Sequence, residues 1–215
     1  MRVLTFGWDF PPSRNGGLGV ACYGLTRELT EDGVEVIFVL PRQQEVMGKP
    51  RFIFADASRR VKVREVSSEL KPYHSGNSLV YFIAGYDVDG KPIIKSRSIL
   101  EEAHSFAHQA ALIAKEEEFD LIHAHDWTSY LAGVSAKIAS KKPLILHVHA
   151  TSYDQAAGDN VDPSIHKIET ESFAQADKII TVSNFTKEII VKKHGNKKKK
   201  VEVVHNGCDT CEPPC

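Results

Sequence analysis

Short apolar strands alternate with helical segments along the second half of the chain, and this alternation restricts the fold more than any other feature. Apolar runs occupy residues 120–124, 144–148, 178–182 and 201–204, and segments with helical spacing lie between them. A helix that joins two strands of one sheet forms a right-handed crossover, which makes the strands parallel. The pattern therefore predicts an α/β fold with a Rossmann-like parallel sheet and helices on both faces.

The first forty residues also alternate between strand and helix, and they contain a glycine-rich loop. A strand at residues 2–7 and a second strand at residues 34–40 flank a helix that begins near Leu18. The first N–H groups of a helix lack partners within the helix, and the helix dipole makes that end electropositive. Gly16 and Gly17 lie just before this helix and have no Cβ, so a phosphate or sugar can approach their backbone. We predict that this loop binds an anionic or sugar group.

Other segments carry recognisable helix and strand signals. Strands are predicted at residues 52–54, 61–66 and 79–86, a turn at 87–90 and a polar loop at 150–162. Helices are predicted at residues 98–118, 128–140, from Asp162–Pro163 onward, and from Ser183 to His194. Ser98 and Glu101 have the spacing of a capping box.

Polar residues and glycines follow several of the predicted strands. In open parallel sheets, ligands bind beyond the carboxyl ends of the strands. The residues at these ends are Gly16, Gly17, His125, Asp126, His149 and Ser183. Their common position predicts a functional site at this edge.

Composition excludes several classes of protein. The chain has 42% hydrophobic and 26% charged residues and a net charge of −1, so no overall field attracts nucleic acid or an anionic membrane. No apolar run approaches the roughly 20 residues that span a bilayer. Asp9 and Pro11 are untypical of a signal peptide, so we expect a cytoplasmic protein with reduced thiols.

Five segments together resemble the retaining glycosyltransferases of family 4, whose close relatives include the glycogen and starch synthases. They are WDFPPSRNGGLG, DLIHAHDW, HVHATSYD, ADKIITVSNFTKEI and VEVVHNGCD, in that order. The resemblance implies the GT-B architecture, in which two Rossmann-like domains face a cleft. This sequence resembles the N-terminal domain, which receives the acceptor. We expect that domain at residues 1–206 and the start of an interdomain linker at 207–215, with a C-terminal domain or partner subunit missing.

The resemblance also assigns roles to individual residues. His149 matches a histidine that hydrogen-bonds the donor sugar near the reacting centre, and Asp126 lies in the matching HDW segment of the cleft wall. We expect these two residues to be catalytic. Gly16 and Gly17 match the loop against the donor phosphates, and Trp127 completes the HDW segment, so these three are expected to bind the donor.

The implied reaction transfers a sugar, glucose as the first expectation, from a UDP- or ADP-sugar to a glycan or glucan hydroxyl with retained configuration. Neither a cofactor nor a metal is expected, and the chain alone is expected to be inactive. Ser152 departs from the HATE sequence of many relatives, which weakens an assignment to glycogen synthesis specifically.

Other functions stay open at this stage. The chain can be a sugar-binding or partner-dependent subunit without its own catalysis. It can also be a metal-dependent hydrolase, because each of two His-x-His pairs places both side chains on one face of a strand. These pairs are His123 with His125 and His147 with His149. A small zinc site at the chain end is a further possibility, with Cys208, Cys211, Cys215 and His205 as ligands. Residues 197–200 are all lysine and are expected to form a solvated loop.

Overall fold

The computed structural model describes residues 1–12, 17–41, 50–54, 79–86, 89, 91–156 and 158–207. The strands in these ranges are β1 (Arg2–Phe6), β2 (Glu35–Leu40), β3 (Arg51–Phe54), β4 (Leu79–Tyr86), β5 (Pro92–Ser98), β6 (Leu121–His125), β7 (Leu144–Val148), β8 (Lys178–Thr181) and β9 (Val201–Val203). The helices are α1 (Gly17–Glu31), α2 (Ile99–Glu116), α3 (Trp127–Ser140), α4 (Ser152–Ala156), α5 (Pro163–Gln175) and α6 (Asn184–Lys193). Lys198–Lys200 form one turn of 3-10 helix.

Seven of the strands form a single parallel sheet in the order β3-β2-β1-β6-β7-β8-β9. Strand β1 is followed on one side by β2 and then by β3 at the sheet edge. The chain then returns to the other side of β1 with β6 and continues to β9. Strand order therefore reverses between β1 and β6, and the crevice beyond the carboxyl ends of these two strands is where such sheets bind ligands.

Strand β2 shows directly that both faces of the sheet are covered. Ile37 and Val39 belong to the larger hydrophobic cluster, which contains residues of α2, α3, α5 and α6. Val36, Phe38 and Leu40 point to the opposite face, where they form a smaller cluster with Leu18 and Cys22 of α1. Alternate side chains of a strand point to opposite faces, so the continuous apolar run of β2 is explained by burial on both. The predicted α/β sheet with helices on both faces is confirmed.

Local sequence signals set several helix ends as predicted. Ser98 and Glu101 form a reciprocal capping box at the start of α2. The Asp162 side chain accepts from the N–H groups of Ser164 and Ile165, and Pro163 opens α5. The Ser183 hydroxyl accepts from Thr186 N–H at the start of α6.

Three features differ from the sequence-based expectations. Strands β4 and β5 form a separate antiparallel pair, and β5 was not predicted. The loop expected at residues 150–162 contains the short helix α4. The lysine run is not wholly solvated, because Lys200 Nζ donates to the carbonyls of Phe173 and Ala174 at the end of α5. The strand predicted at residues 61–66 and most of the turn predicted at 87–90 lie outside the described residues.

None of the helices in the described ranges combines the length and apolar character that crossing a membrane requires.

Helix α3 packs very closely on the sheet at Gly133. A Cβ at this position would lie 2.8 Å from Ala124 Cβ and 3.0 Å from Leu144 Cδ1. Both neighbours are fully buried in β6 and β7, so they have little room to move. The glycine allows the helix to approach the strands that end at the crevice.

We predict that Gly133→Ala lowers the free energy of unfolding by about 1–3 kcal/mol, because the added methyl overpacks the core. Gly24 in α1 provides the matched control, since a Cβ there would meet nothing within 4 Å. Gly24→Ala should raise the stability by up to about 1 kcal/mol through helix propensity. Urea denaturation of both variants measures the difference. A Gly133→Ala variant at least as stable as the parent would contradict this packing.

Candidate active site

Three elements bring the predicted residues to one edge of the sheet. Gly17 is the first residue of α1, which follows β1. Asp126 follows β6 directly, and His149 follows β7 directly. Because β1, β6 and β7 are adjacent, their carboxyl ends meet at the point where the strand order reverses. Gly16 lies outside the described residues, so its predicted role stays a prediction.

Gly17 has an open position at this edge. It is exposed, and a Cβ there would meet nothing within 4 Å. The start of a 15-residue helix supplies N–H groups without partners in the helix, as anion binding requires. The backbone is therefore accessible to a ligand, and donor binding by Gly17 stays a prediction.

Four histidines form a ladder across β6 and β7. His125 pairs with His147 in the strand register. His123 lies two residues before His125 in β6, and His149 lies two residues after His147, just beyond the end of β7. His125 Nδ1 lies 3.1 Å from His149 Nε2, and His147 Nδ1 lies 3.3 Å from His123 Nε2. The rings of His147 and His149 stack at 4.5 Å. The shared face was predicted from the His-x-His spacing, whereas the diagonal hydrogen bonds were not.

Burial keeps this ladder uncharged. It lowers the pKa of His123 to about 3, with the neighbouring His147 and His149 as further causes. It lowers the pKa of His147 to about 4 and that of His149 to about 3. The pKa of His125 also lies well below its ordinary value, chiefly through burial. Near neutral pH each imidazole thus has one N–H donor and one acceptor nitrogen.

Asp126 joins the end of β6 to the backbone that follows β7. Its Oδ1 accepts the N–H of His149 at 2.7 Å and that of Ala150 at 3.4 Å. The carboxyl is only 4% exposed, and burial raises its pKa to about 7 against the lowering effect of these two hydrogen bonds. Asp126 therefore holds His149 in place through the main chain.

The backbone of Asp126 is itself strained. Its φ of 56° and ψ of 168° lie in a region that residues other than glycine rarely adopt. Such a conformation costs on the order of 1–3 kcal/mol and persists where surrounding contacts enforce it. Here Asp126 N–H donates to His147 O, and Asp126 O accepts from Ser129 N–H, each at 3.0 Å. Strain of this kind is typical of functional sites.

Trp127 and residues 151–154 are close in the chain to Asp126 and His149. Trp127 is 1% exposed and belongs to the larger hydrophobic cluster, so its side chain offers almost no surface to a ligand in this conformation. Asp154 Oδ2 accepts from Thr151 N–H at 2.7 Å and from Thr151 Oγ–H at 2.8 Å. Glu169 of α5 accepts from the N–H and the hydroxyl of Ser152. These contacts fix the chain just beyond His149.

Sequence reasoning missed Glu169, although a signal for it exists. The buried positions of α5 are Ile165, Ile168, Glu169, Ser172 and Phe173. They follow helical spacing, so a glutamate stands within an otherwise largely apolar face. A carboxylate in such a place requires hydrogen-bond partners, and Ser152 supplies them.

The histidines also bear on the hydrolase hypothesis. His123, His125 and His147 offer ring nitrogens within 4.8 Å of one another, as do His125 and His149 together with Cys22 Sγ. A metal ion in the ladder would have to replace the hydrogen bonds between the rings. Burial also raises the pKa of Cys22, which disfavours a thiolate ligand. The cysteines proposed for a terminal zinc site lie outside the described residues.

Two curated glycosyltransferases resemble this chain over almost its whole length. An uncharacterized glycosyltransferase of Methanocaldococcus jannaschii is 26% identical over 219 residues, covering 99% of this chain and 47% of that protein. A glycogen synthase of Mycobacterium tuberculosis is 22% identical over 218 residues, covering 100% of this chain and 50% of that protein. The chain thus spans about half the length of the curated relatives it matches.

Solved structures share the fold. Sucrose-phosphate synthase from Thermosynechococcus elongatus superimposes with a TM-score of 0.63 at 14% identity, over 95% of this chain and 47% of that one. Anabaena HepE, solved in complex with UDP and glucose, gives a TM-score of 0.57 at 13% identity, over 97% of this chain and 45% of that one. At these identities the likeness concerns the fold alone.

The family match covers nearly the whole chain and agrees with the motifs at the sheet edge. Residues 15–212 match the family described as Glycosyltransferase Family 4. This result argues against the metal-dependent hydrolase. The chain belongs to glycosyltransferase family 4 and has the Rossmann-like α/β fold of one half of a GT-B enzyme.

Proposed function

We propose that this chain is the acceptor-side half of a retaining glycosyltransferase, with His149 at the reacting centre. The donor is a nucleotide diphosphate sugar, with UDP-glucose as the first choice, and the acceptor is a hydroxyl of a glycan. The bond from sugar C1 to the diphosphate oxygen breaks, the acceptor oxygen bonds to C1, and the hydroxyl proton is released.

The observation that carries the proposal is the fixed position of His149. It follows β7, the neighbour of β6 at the carboxyl edge of the sheet, and a buried carboxylate holds its main chain by a 2.7 Å hydrogen bond. The start of α1 lies beyond the neighbouring β1, with accessible backbone at Gly17. A sugar between these two elements would have its diphosphate near a helix N-terminus, which favours negative charge.

The hydrogen bonds of the ladder determine what His149 can do. Its Nε2 is paired with His125 Nδ1, which leaves Nδ1 for a ligand. If His125 donates in that pair, His149 Nδ1 carries a proton and donates to a sugar hydroxyl. If His149 donates, Nδ1 accepts from the hydroxyl instead. In both cases the ring is neutral near pH 7, because burial lowers its pKa to about 3.

Asp126 acts in this proposal as a positioning residue. Its carboxylate binds the main chain of His149 and not the ring. Its raised pKa, about 7, means that the ionised form pays a desolvation cost that the two backbone donors only partly offset. The function of that carboxylate is to keep the turn after β7 in one conformation.

The relatives support the choice of donor and the need for a second domain. HepE was solved with UDP and glucose, and the tuberculosis protein is named a glycogen synthase. The chain spans about half of each. A complete site would then require a donor-binding domain, supplied either by a longer polypeptide or by a separate partner.

We predict that the purified 215-residue chain alone shows no transfer with UDP-glucose or ADP-glucose on a glucan acceptor. The proposal places most donor contacts in the other half, so the diphosphate would lack part of its binding site. The active polypeptide or complex should have about twice the mass of 23.9 kDa. Radiolabel transfer and intact-mass measurement of the native protein test both statements. Clear turnover by the isolated chain would contradict the proposal that the donor is bound mainly by the other half of the enzyme.

In the complete enzyme, His149→Ala should lower kcat by about 100-fold or more, because it removes a hydrogen bond that strengthens as charge develops. The dissociation constant for the nucleotide sugar should change less than about threefold if this bond acts mainly in the transition state. His104→Ala is the control, since His104 is exposed on α2. A variant that lost affinity but kept kcat would reduce His149 to a ground-state contact.

Two substitutions at Asp126 distinguish the hydrogen bond that positions His149 from the negative charge of the carboxylate. Asparagine can still accept the His149 N–H through its amide oxygen, whereas alanine cannot. We expect Asp126→Ala to lower kcat by about 10–100-fold, which corresponds to losing a hydrogen bond to a charged group. Asp126→Asn should retain most of the activity. Equal losses in the two variants would show that the charge itself is required.

A further inference from the structure

A second cluster of polar side chains lies between α5 and α6, outside the candidate active site. His166 and Glu169 are three residues apart and share a face of α5. His194 follows the last residue of α6. The side chains of Glu169 and His194 are 1% and 0% exposed, respectively. The ligand atoms of these three residues lie within 4.8 Å of one another.

Hydrogen bonds fix the tautomer of His194. The Thr170 hydroxyl donates its single proton to the His166 carbonyl at 2.8 Å. The same Oγ1 lies 2.8 Å from His194 Nδ1, so it must accept there, and Nδ1 carries a proton. In the tautomer that this pairing selects, the other ring nitrogen, Nε2, presents a lone pair.

That lone pair faces a carboxylate. His194 Nε2 lies 3.6 Å from Glu169 Oε2. Both oxygens of Glu169 already accept hydrogen bonds from Ser152, Oε1 from the N–H at 2.8 Å and Oε2 from the hydroxyl at 2.6 Å. A lone pair opposite a carboxylate oxygen is repulsive unless a cation lies between the two atoms. His166 Nδ1 is also buried, and in the described part of the chain neither it nor His194 Nε2 has a hydrogen-bond partner.

We propose that His166, Glu169 and His194 bind a Zn²⁺ ion through one ring nitrogen of His166, Glu169 Oε2 and His194 Nε2, with water in the fourth position. Two imidazoles and a carboxylate are ligands that zinc accepts readily. Tetrahedral ligands at zinc bond lengths are about 3.3 Å apart, so the pair at 3.6 Å needs only a small adjustment. Thr170 and Ser152 already orient two of the ligands, as the second shell of a metal site does.

The site would join three segments of the chain. His166 and Glu169 belong to α5, and His194 directly follows α6. Glu169 also holds the first residue of α4, three residues beyond His149. The zinc is thus structural in this proposal, and it stabilises the support of the candidate active site without contacting the reacting sugar.

A proton is the competing occupant of the same space. Burial raises the pKa of Glu169 to about 7, so a protonated Glu169 can donate to His194 Nε2 without any metal. The two occupants differ in an observable way. A zinc site binds one added ion with a saturable affinity that depends on both histidines, and a protonated carboxyl does not.

The experiment titrates Zn²⁺ into the metal-stripped chain and follows heat and the melting temperature. Cys208, Cys211 and Cys215 are replaced by serine in every sample, because these thiols are themselves potential ligands. The test variant is His166→Gln/His194→Gln, and the matched control is His104→Gln/His108→Gln, an exposed histidine pair on α2. Far-UV circular dichroism checks that each variant is folded. Glu169→Gln is the second test variant.

We expect one equivalent of Zn²⁺ to bind the parent and the control. The melting temperature of both should rise by about 5–10 °C at a 100-fold excess over the dissociation constant. Affinity should fall at least 100-fold in His166→Gln/His194→Gln and at least 10-fold in Glu169→Gln. Co²⁺ should give the absorption bands of a tetrahedral site in the parent and lose them in the test variants. If no saturable binding occurs, or if it survives loss of both histidines, the proposal is wrong.

Discussion

The hydrogen bond from His149 N–H to the buried Asp126 carboxylate links the ends of two adjacent strands, and the geometry of the site depends on it. The register of the sheet brings the two partners together, because His125 pairs with His147 and so places Asp126 beside the turn after β7. The strained backbone of Asp126 and the buried position of its carboxyl both cost free energy. Strain of this size persists only where surrounding contacts enforce one conformation, as they do for the turn after β7.

The parallel sheet places this link beyond the carboxyl ends of its strands, where we propose that a donor and an acceptor meet. Close packing at Gly133 brings α3 against β6 and β7, and side-chain caps fix the starts of α5 and α6, the helices before and after β8 in the chain. Four neutral histidines then lie along β6, β7 and the residue after β7 without introducing buried charge. In the proposed function, a facing domain would supply the nucleotide contacts, and the half-length coverage of the relatives supports that proposal.

Features coded by neighbouring residues were predictable from the sequence, and features set by distant contacts were not. Apolar runs predicted β6 and β7, and Ser98, Asp162 and Ser183 marked helix starts, because each signal is local. Helix α4 was missed because five residues do not hold a helix by propensity; Glu169, seventeen residues beyond Ser152, holds its start. The His-x-His spacing predicted a shared face, but the pairing of His125 with His149 required the sheet register. The roles predicted for Gly16 and for the terminal cysteines stay predictions.

We propose that a donor sugar lies against His149 beyond the carboxyl ends of β1, β6 and β7. A crystal structure of the complete enzyme with a UDP-sugar and an acceptor analogue tests it most directly. We expect a hydroxyl of the transferred sugar within hydrogen-bond distance of His149 Nδ1, with the diphosphate near the start of α1. A sugar bound elsewhere, with no ligand atom near His149, would contradict it.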